Sequence, residues 1–259
     1  MWQADGWGWR ARIGVLTPQA DIGPESEFQA MAPDGVSIHA ARIPFAVMAP
    51  GGAMNPTIAL EPVRAFADPP YVDDAAESLA DAPLHAIAYA FTSSSYMRGA
   101  ADDAALKARL EGRTRGIPVV ITCAAATMAL RALGARRLAL IDPPWFAADL
   151  TAMGADYFRA QGFEVVHAAP AGLPSGQRLV HPSQIYEWTR EHVPADAEAV
   201  FFGGNGFRAV GVIHALEEDL GCPVLTANQV AFWQALRLSG VRAAVTNYGQ
   251  LFTRELPAG

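Results

Sequence analysis

Short apolar segments alternate along the chain with longer segments in which apolar residues recur at helical spacing. The short segments predict nine strands, at 12–18, 36–43, 86–91, 118–123, 137–142, 164–169, 199–204, 223–228 and 242–247. The longer segments predict helices at 101–112, 125–134, 146–161, 183–192, 208–220 and 229–239. This alternation is typical of α/β proteins in which helices cover mostly parallel sheets.

Two segments, beginning at Gly116 and Gly221, resemble each other. Each starts with Gly-x-Pro-Val, continues through an apolar strand into a helix that contains Ala-Leu-Arg, and reaches Gly-x-Arg before another apolar run. Such internal similarity predicts two similar α/β halves. We place a first lobe at 12–115 plus 242–259 and a second lobe at 116–241.

Composition narrows the class of protein. The chain has 259 residues, of which 51% are hydrophobic and 17% charged, enough to bury the core of one large domain or two small ones. The net charge of −7 comes without a cluster of Lys or Arg, so neither nucleic acid nor an anionic membrane is expected as a partner. A small-molecule ligand fits better, and the sequence leaves a homo-oligomer open.

Location and cofactors are also constrained. No apolar run is long enough for a membrane span and the first residues lack a secretion signal, so we expect a cytoplasmic protein. Only Cys123 and Cys222 are present, without the spacing of a zinc site or a disulfide framework. Neither a GxGxxG fingerprint nor a P-loop occurs, which disfavours nucleotide binding. We therefore expect no metal and no cofactor.

Polar or small residues follow several of the predicted strands. Five such junctions occur, at 17–21, 91–95, 122–127, 142–145 and 203–206. In open α/β sheets, ligands bind beyond the carboxyl ends of the strands, where helix N-termini present free N–H groups to anions. Thr92, Ser93 and Ser94 thus resemble a carboxylate cradle. The alternative is that these residues are ordinary helix caps and tight turns.

The residues at these junctions resemble a known family. The opening IGVLTPQADIGPESEFQAMAPDGVSIHAARI, the junction AYAFTSSSYMRG, and the segments LRALGARRLAL and PVLTANQVAFWQALRLSGV are similar to the maleate isomerase and arylmalonate decarboxylase group of the aspartate/glutamate racemase superfamily. The similarity spans roughly 12–247, and the TPQADIGPE opening is most similar to proteins of ectoine-utilisation operons.

This resemblance implies two pseudo-symmetric α/β lobes with the site in the cleft between them. It also implies cofactor-independent chemistry at the carbon beside a carboxylate, carried out by one or two cysteines at strand ends. Matching the motifs places Phe91 at the first cysteine position and Gly204 near the second, so both thiols are absent. The carboxylate cradle remains.

Other groups are candidates for the missing acid or base. Asp21 stands where the family usually has asparagine and is a candidate general base, although it also suits an N-cap. Cys123 is a second catalytic candidate, and its alternative is a small core residue. Asp142 is a further acid at a strand end. The expected substrate-binding residues are Pro18, Phe91, Thr92, Ser93, Ser94, Pro144, Trp145, Gly204, Asn205, Gly206 and Asn228.

These observations favour an isomerase or a decarboxylase-like lyase that acts on a small carboxylate without the usual cysteines. Loss of the thiols favours chemistry with at most one acid or base over two-base racemisation. The alternative is a non-catalytic pseudo-enzyme that binds a small carboxylate.

Overall fold

A computed structural model describes residues 5–257. Its strands are β1 (Ala11–Pro18), β2 (Val36–Ile43), β3 (Ala86–Tyr89), β4 (Val119–Ile121), β5 (Arg137–Asp142), β6 (Glu164–Pro170), β7 (Ala199–Phe202) and β8 (Val224–Thr226). Its α-helices are α1 (Gly23–Met31), α2 (Leu60–Ala65), α3 (Tyr71–Leu79), α4 (Thr92–Arg113), α5 (Thr122–Leu133), α6 (Ala148–Ala160), α7 (Pro182–His192), α8 (Ile213–Leu220) and α9 (Ala227–Leu238). Within 5–257, no helix is both long and apolar enough to cross a bilayer.

The strands form two four-stranded parallel sheets with the same topology. The first has the order β2-β1-β3-β4 and the second the order β6-β5-β7-β8, which confirms the predicted pair of α/β halves. Strands β3 and β7 are buried along their whole length, as expected for parallel strands covered on both faces. In each sheet the strand order reverses between the first and third strands, so a crevice for a ligand is expected there.

Helices join the two halves. Helix α4, which follows β3, packs against α6 of the second half, and α5 packs against α9. Helix α9 follows the last strand of the second sheet but lies against β3 and β4 of the first. The contact between α5 and α9 brings together the two segments that resemble each other in sequence.

The structure corrects the predicted lobe boundary. Strand β4 was expected to open the second lobe at residue 116, but Val119 pairs with Ile87, so β4 is the fourth strand of the first sheet. After the long helix α4, the chain returns beside β3, as a parallel crossover does. The chain reaches the second sheet only at β5.

The predicted ninth strand at 242–247 is wrong. Gly240 has a φ of +74° and the chain turns away from both sheets there, so the segment has no strand partner. The chain that follows this segment is held on α9, where Gln229 Nε2 donates to the Tyr248 carbonyl at 2.7 Å and Trp233 Nε1 donates to the Arg254 carbonyl at 3.0 Å. Residues 258–259 of the predicted first lobe lie outside the described range.

Candidate active site

A small cavity of about 40 Å³ lies beyond the carboxyl ends of β1, β3, β5 and β7. Both halves contribute to it, so the crevices at the two points of strand-order reversal meet in one site. Phe91 and Gly204 both line this cavity, as predicted from the resemblance. The lining consists of Pro18, Asp21, Phe45, Met48, Met54, Ile58, Ala90, Phe91, Thr92, Ser93, Trp145, Phe146, Gln177, Gly204, Asn205 and Gly206.

Asp21 is the acid in the cavity wall. A turn after β1 positions it, with its N–H donating to the Pro18 carbonyl at 3.0 Å, while its Oδ1 accepts from the Gly23 N–H at 2.8 Å. Its side chain is only 4% exposed, and burial raises its pKa to about 6. The Gly23 N–H, the Gln177 side chain and the charge of Arg42 partly offset that rise. A carboxyl with such a pKa exchanges protons near neutrality.

The second half approaches Asp21 through Gly206. A Cβ at residue 206 would lie 3.0 Å from Asp21 Oδ2 and would overlap Gln177 Nε2. A side chain at residue 206 would therefore displace the Gln177 amide, and glycine lets the backbone of this loop approach the acid and Gln177 together. The GGNG segment at 203–206 is thus a close-approach loop rather than a plain turn.

Thr92 and Asn205 connect the two halves at the floor of the cavity. Both the N–H and the hydroxyl of Thr92 donate to Asn205 Oδ1, at 2.9 and 2.6 Å. Asn205 Nδ2 in turn donates to Asn228 Oδ1 at 2.9 Å, and Asn228 Nδ2 donates to Glu27 Oε2 at 2.7 Å. The chain of bonds fixes the start of α4, the close-approach loop and the start of α9 relative to one another.

The Thr92 donors are therefore already used, which corrects part of the predicted carboxylate cradle. Ser94 is also turned away from the cavity, since its hydroxyl donates to the Phe91 carbonyl at 3.2 Å. Ser93 remains as a cavity-lining hydroxyl at the N-terminus of α4, where the helix dipole favours an anion.

Backbone N–H groups are further candidate donors to an anion. Within the described residues, the amides of Ser93, Gly204, Asn205 and Gly206 have no protein acceptor, and all four residues line the cavity. Gly204 has a φ of +71°, which suits the concave arrangement of successive amides that binds anions. We call these four amides and the Ser93 hydroxyl the donor set.

An apolar wall faces the donor set. The Phe91 ring packs on Phe66 with centroids 3.9 Å apart and on Phe45 with centroids 5.1 Å apart. The segment 44–59, between β2 and α2, adds Met48 and Ile58 to the lining. It is tied to the second half because the Ile58 N–H donates to the Trp145 carbonyl at 3.0 Å. The resulting site is apolar on one side and has candidate hydrogen-bond donors on the other.

The structure does not support Cys123 as a catalytic residue. Strand β4 ends at Ile121, two residues earlier than predicted, so Cys123 lies in the first turn of α5 rather than at a strand end. It is fully buried, lies outside the cavity lining, and its thiol donates to the Thr92 carbonyl at 3.6 Å. Burial, together with the charge of Asp103, raises the pKa of the Cys123 thiol well above its ordinary value, which opposes a thiolate.

Two other predicted ligand contacts also lie outside the lining. Pro144 is not part of the cavity wall, although its neighbour Trp145 is. Asn228 is buried behind Asn205 and orients it without reaching the cavity. Asp142 is likewise outside the lining, where it accepts from the Tyr96 hydroxyl at 3.0 Å.

Sequence reasoning missed several residues of the site. Gln177 comes from a loop after β6 and carries no local signal of its role. Glu27 is buried beneath Asn228, and burial raises its pKa to about 7. A signal was available for Phe45, Met48, Met54 and Ile58, because a long loop this rich in apolar residues must bury them somewhere.

With the site defined, comparison with known proteins identifies the family. The family model described as arylmalonate decarboxylase matches residues 31–252, so the chain belongs to that family. Arylmalonate decarboxylase of Bordetella bronchiseptica is 29% identical over 166 residues, which cover 62% of this chain and 68% of that protein. Maleate isomerase of Geobacillus stearothermophilus is 26% identical over 188 residues, which cover 70% of this chain and 74% of that protein.

Solved structures agree on the fold. A maleate isomerase of Pseudomonas putida, solved with maleate, has a TM-score of 0.81 and 21% identity, with 94% of this chain and 97% of that chain covered. An arylmalonate decarboxylase variant in a sulfate-associated form has a TM-score of 0.74 and 24% identity, with 93% and 99% covered. At these identities the likeness establishes the shared two-sheet architecture.

Proposed function

We propose that this protein is a cofactor-independent isomerase or decarboxylase-like lyase that acts on a small carboxylate, with Asp21 as its acid and base. The observation that carries the proposal is the position of Asp21. Its buried carboxyl, with a pKa raised to about 6, shares one small cavity with the donor set. A proton-transfer group and an anion site in one cavity suit chemistry at the carbon beside a carboxylate.

The chemistry follows from this arrangement. In an isomerisation, the Asp21 carboxylate takes a proton from the carbon beside the substrate carboxylate, and the C–H electron pair moves onto that carboxylate to give an enediolate. The donor set stabilises the charge that develops on the enediolate oxygens. In a substrate with a β,γ double bond, return of the proton from Asp21 to the γ carbon shifts the double bond into conjugation with the carboxylate and completes the isomerisation.

A decarboxylation uses the same groups in a different order. The bond to a second carboxylate breaks, carbon dioxide leaves, and its electron pair forms the same enediolate. Protonated Asp21 then donates its proton to carbon, and water restores the proton on Asp21. At pH 7 a group with this pKa is about nine-tenths ionised, so both protonation states are accessible.

A covalent thiol route is not part of the proposal. A structure of the maleate isomerase of Nocardia farcinica contains a covalently bound succinylcysteine intermediate. In this chain neither Cys123 nor Cys222 is among the residues that line the cavity. We infer that the positions of the two family cysteines are taken by Phe91 and by a residue near Gly204.

The donor set without a cysteine in the cavity also favours one alternative function, a non-catalytic carboxylate-binding protein. The two functions are separated by assaying the wild-type protein with but-3-enoate, which has a β,γ double bond, and with phenylmalonate. Isomerisation of but-3-enoate to but-2-enoate or release of carbon dioxide from phenylmalonate, lost in Asp21→Asn, supports the enzyme. Calorimetric binding without any turnover supports the binding protein.

A further inference from the structure

A larger groove of about 580 Å³ adjoins the cavity. Gln177 and Gly206 line both, so the two spaces share a wall formed by these residues. The groove lies between the N-terminal part of α1 and the loops that precede α7 and α8. The Gln177 amide packs against Gly206 in this wall, so a substrate that occupied both spaces would have to displace that side chain.

Two arginines give this groove a positive charge. Arg178 and Arg208 both line it, both are exposed, and neither has a carboxylate within ion-pair distance among residues 5–257. The one acid in the lining, Glu27, is buried and its two oxygens accept from the Val210 N–H and Asn228 Nδ2. In a chain of net charge −7, two arginines without acidic partners beside the site form a local attraction for anions.

Apolar side chains occupy the wall between these charges. Ile22, Pro182 and Val210 line the groove, and Ile22 is 66% exposed although it is a large apolar residue. Such a wall contacts methylene groups rather than a compact polar ligand. We call the groove, with Arg178 and Arg208, the arginine groove.

We propose that the arginine groove binds a second anionic group of the substrate. The substrate is then an elongated dianion, with one carboxylate at the donor set and a second carboxylate, joined by an apolar linker, at Arg178 and Arg208. This inference rests on the proposed function, because it assigns the rest of the molecule whose reacting end lies in the cavity. Guanidinium groups suit a carboxylate because they offer paired donors.

The test compares two probes of equal chain length, pimelate with two carboxylates and heptanoate with one, by isothermal titration calorimetry. One charge-assisted hydrogen bond corresponds to at least about tenfold in affinity, so the wild-type protein should bind pimelate at least about tenfold more tightly than heptanoate. Arg208→Gln and Arg178→Gln should each weaken the binding of pimelate at least about fivefold and leave the affinity for heptanoate unchanged. Arg159→Gln, an exposed arginine of α6, is the matched control and should change neither probe.

A cavity variant separates the two claims. Ser93→Ala should weaken the binding of both probes, since both place a carboxylate at the donor set. If Ser93→Ala weakens both probes but the groove variants leave pimelate unchanged, the arginine groove is not a substrate site and the proposed function stands. If the wild-type protein binds neither probe, the donor set fails as a carboxylate site and the groove proposal fails with it.

Discussion

Thr92 and Asn205, 113 residues apart in sequence, meet at the floor of the cavity, where two donors of Thr92 share one oxygen of Asn205. Both residues are almost fully buried. The bond pair joins the first turn of α4 to the close-approach loop, so the strand ends of the two sheets are fixed against each other. The geometry of the site therefore depends on this contact before any ligand is bound.

Removal of the Asn205 side chain should destabilise the protein. Asn205→Ala leaves the Thr92 N–H and hydroxyl and Asn228 Oδ1 without partners in a buried site, and each unsatisfied group costs about 1–3 kcal/mol. We expect a loss of at least about 2 kcal/mol in the free energy of unfolding, measured by urea denaturation. Asn55→Ala, at an exposed loop position, should stay within about 0.5 kcal/mol of wild type. An equal, small effect of both changes would contradict the structural role of Asn205.

Thr92 and Ser93 should separate into a structural and a binding residue. Ser93→Ala removes a hydroxyl of the donor set and should weaken maleate binding about tenfold, with stability little changed. Thr92→Val removes a buried hydroxyl bond and should lower stability by about 1 kcal/mol or more. Calorimetry and urea denaturation of the two variants measure this, with Ser78→Ala as the exposed control. Weaker binding in Thr92→Val alone would reverse the assignment.

Gly204 should not accept a side chain, including a restored thiol. Its φ of +71° is unfavourable for other residues, and a Cβ there would lie 2.6 Å from Pro143 Cγ. We expect both Gly204→Ala and Gly204→Cys to lower the unfolding free energy by about 1–3 kcal/mol. Gly112→Ala, in α4 with nothing near its Cβ, should instead leave stability equal or raise it by up to about 1 kcal/mol. A stable Gly204→Cys with restored thiol chemistry would show that this loop tolerates the family cysteine.

The two α/β halves could be predicted from local patterns, namely the strand ends and the repeated segment. The pairing of Phe91 with Gly204 was predicted from the resemblance to the family. The sequence placed Cys123 at the end of a strand, whereas it lies in the first turn of α5. The difference is two residues at an element boundary, which local patterns do not resolve. Gln177 could not be found, because its place beside Asp21 depends on the path of a loop from the other half. The hydrogen bonds between Thr92 and Asn205 also depend on the tertiary structure, and no local sequence pattern predicts them.

Asp142 should make stability depend on pH. Burial raises its pKa from 3.8 to about 7, so the folded protein binds this proton more tightly than the unfolded chain does. The stability contributed by that proton is complete below about pH 4 and is lost as the pH rises through 7, on the order of 4 kcal/mol in all. Asp142→Asn should lessen the fall in unfolding free energy between pH 5 and 8, measured by urea denaturation. Part of the fall should remain, because burial also raises the pKa values of Asp21, Glu27 and Asp103.

The control for that change is Asp34→Asn, which removes the same charge from an exposed position. It should keep the wild-type pH dependence. If the unfolding free energy of Asp142→Asn falls as steeply with pH as that of the wild-type protein, the buried proton does not reside on Asp142.

The most direct test of the central claim is deuterium exchange at the carbon beside the carboxylate, followed by NMR in D₂O with succinate, phenylacetate and pimelate. Because Asp21 must be ionised to remove the proton, the exchange rate should rise with pH, with a midpoint near 6, and level off above it. Asp21→Asn should abolish exchange with any probe that the wild-type protein exchanges, whereas Cys123→Ser should retain most of the rate and the same midpoint. Exchange that persists in Asp21→Asn and is lost in Cys123→Ser, or no exchange by the wild-type protein with any of the three probes, would contradict Asp21 as the catalytic base.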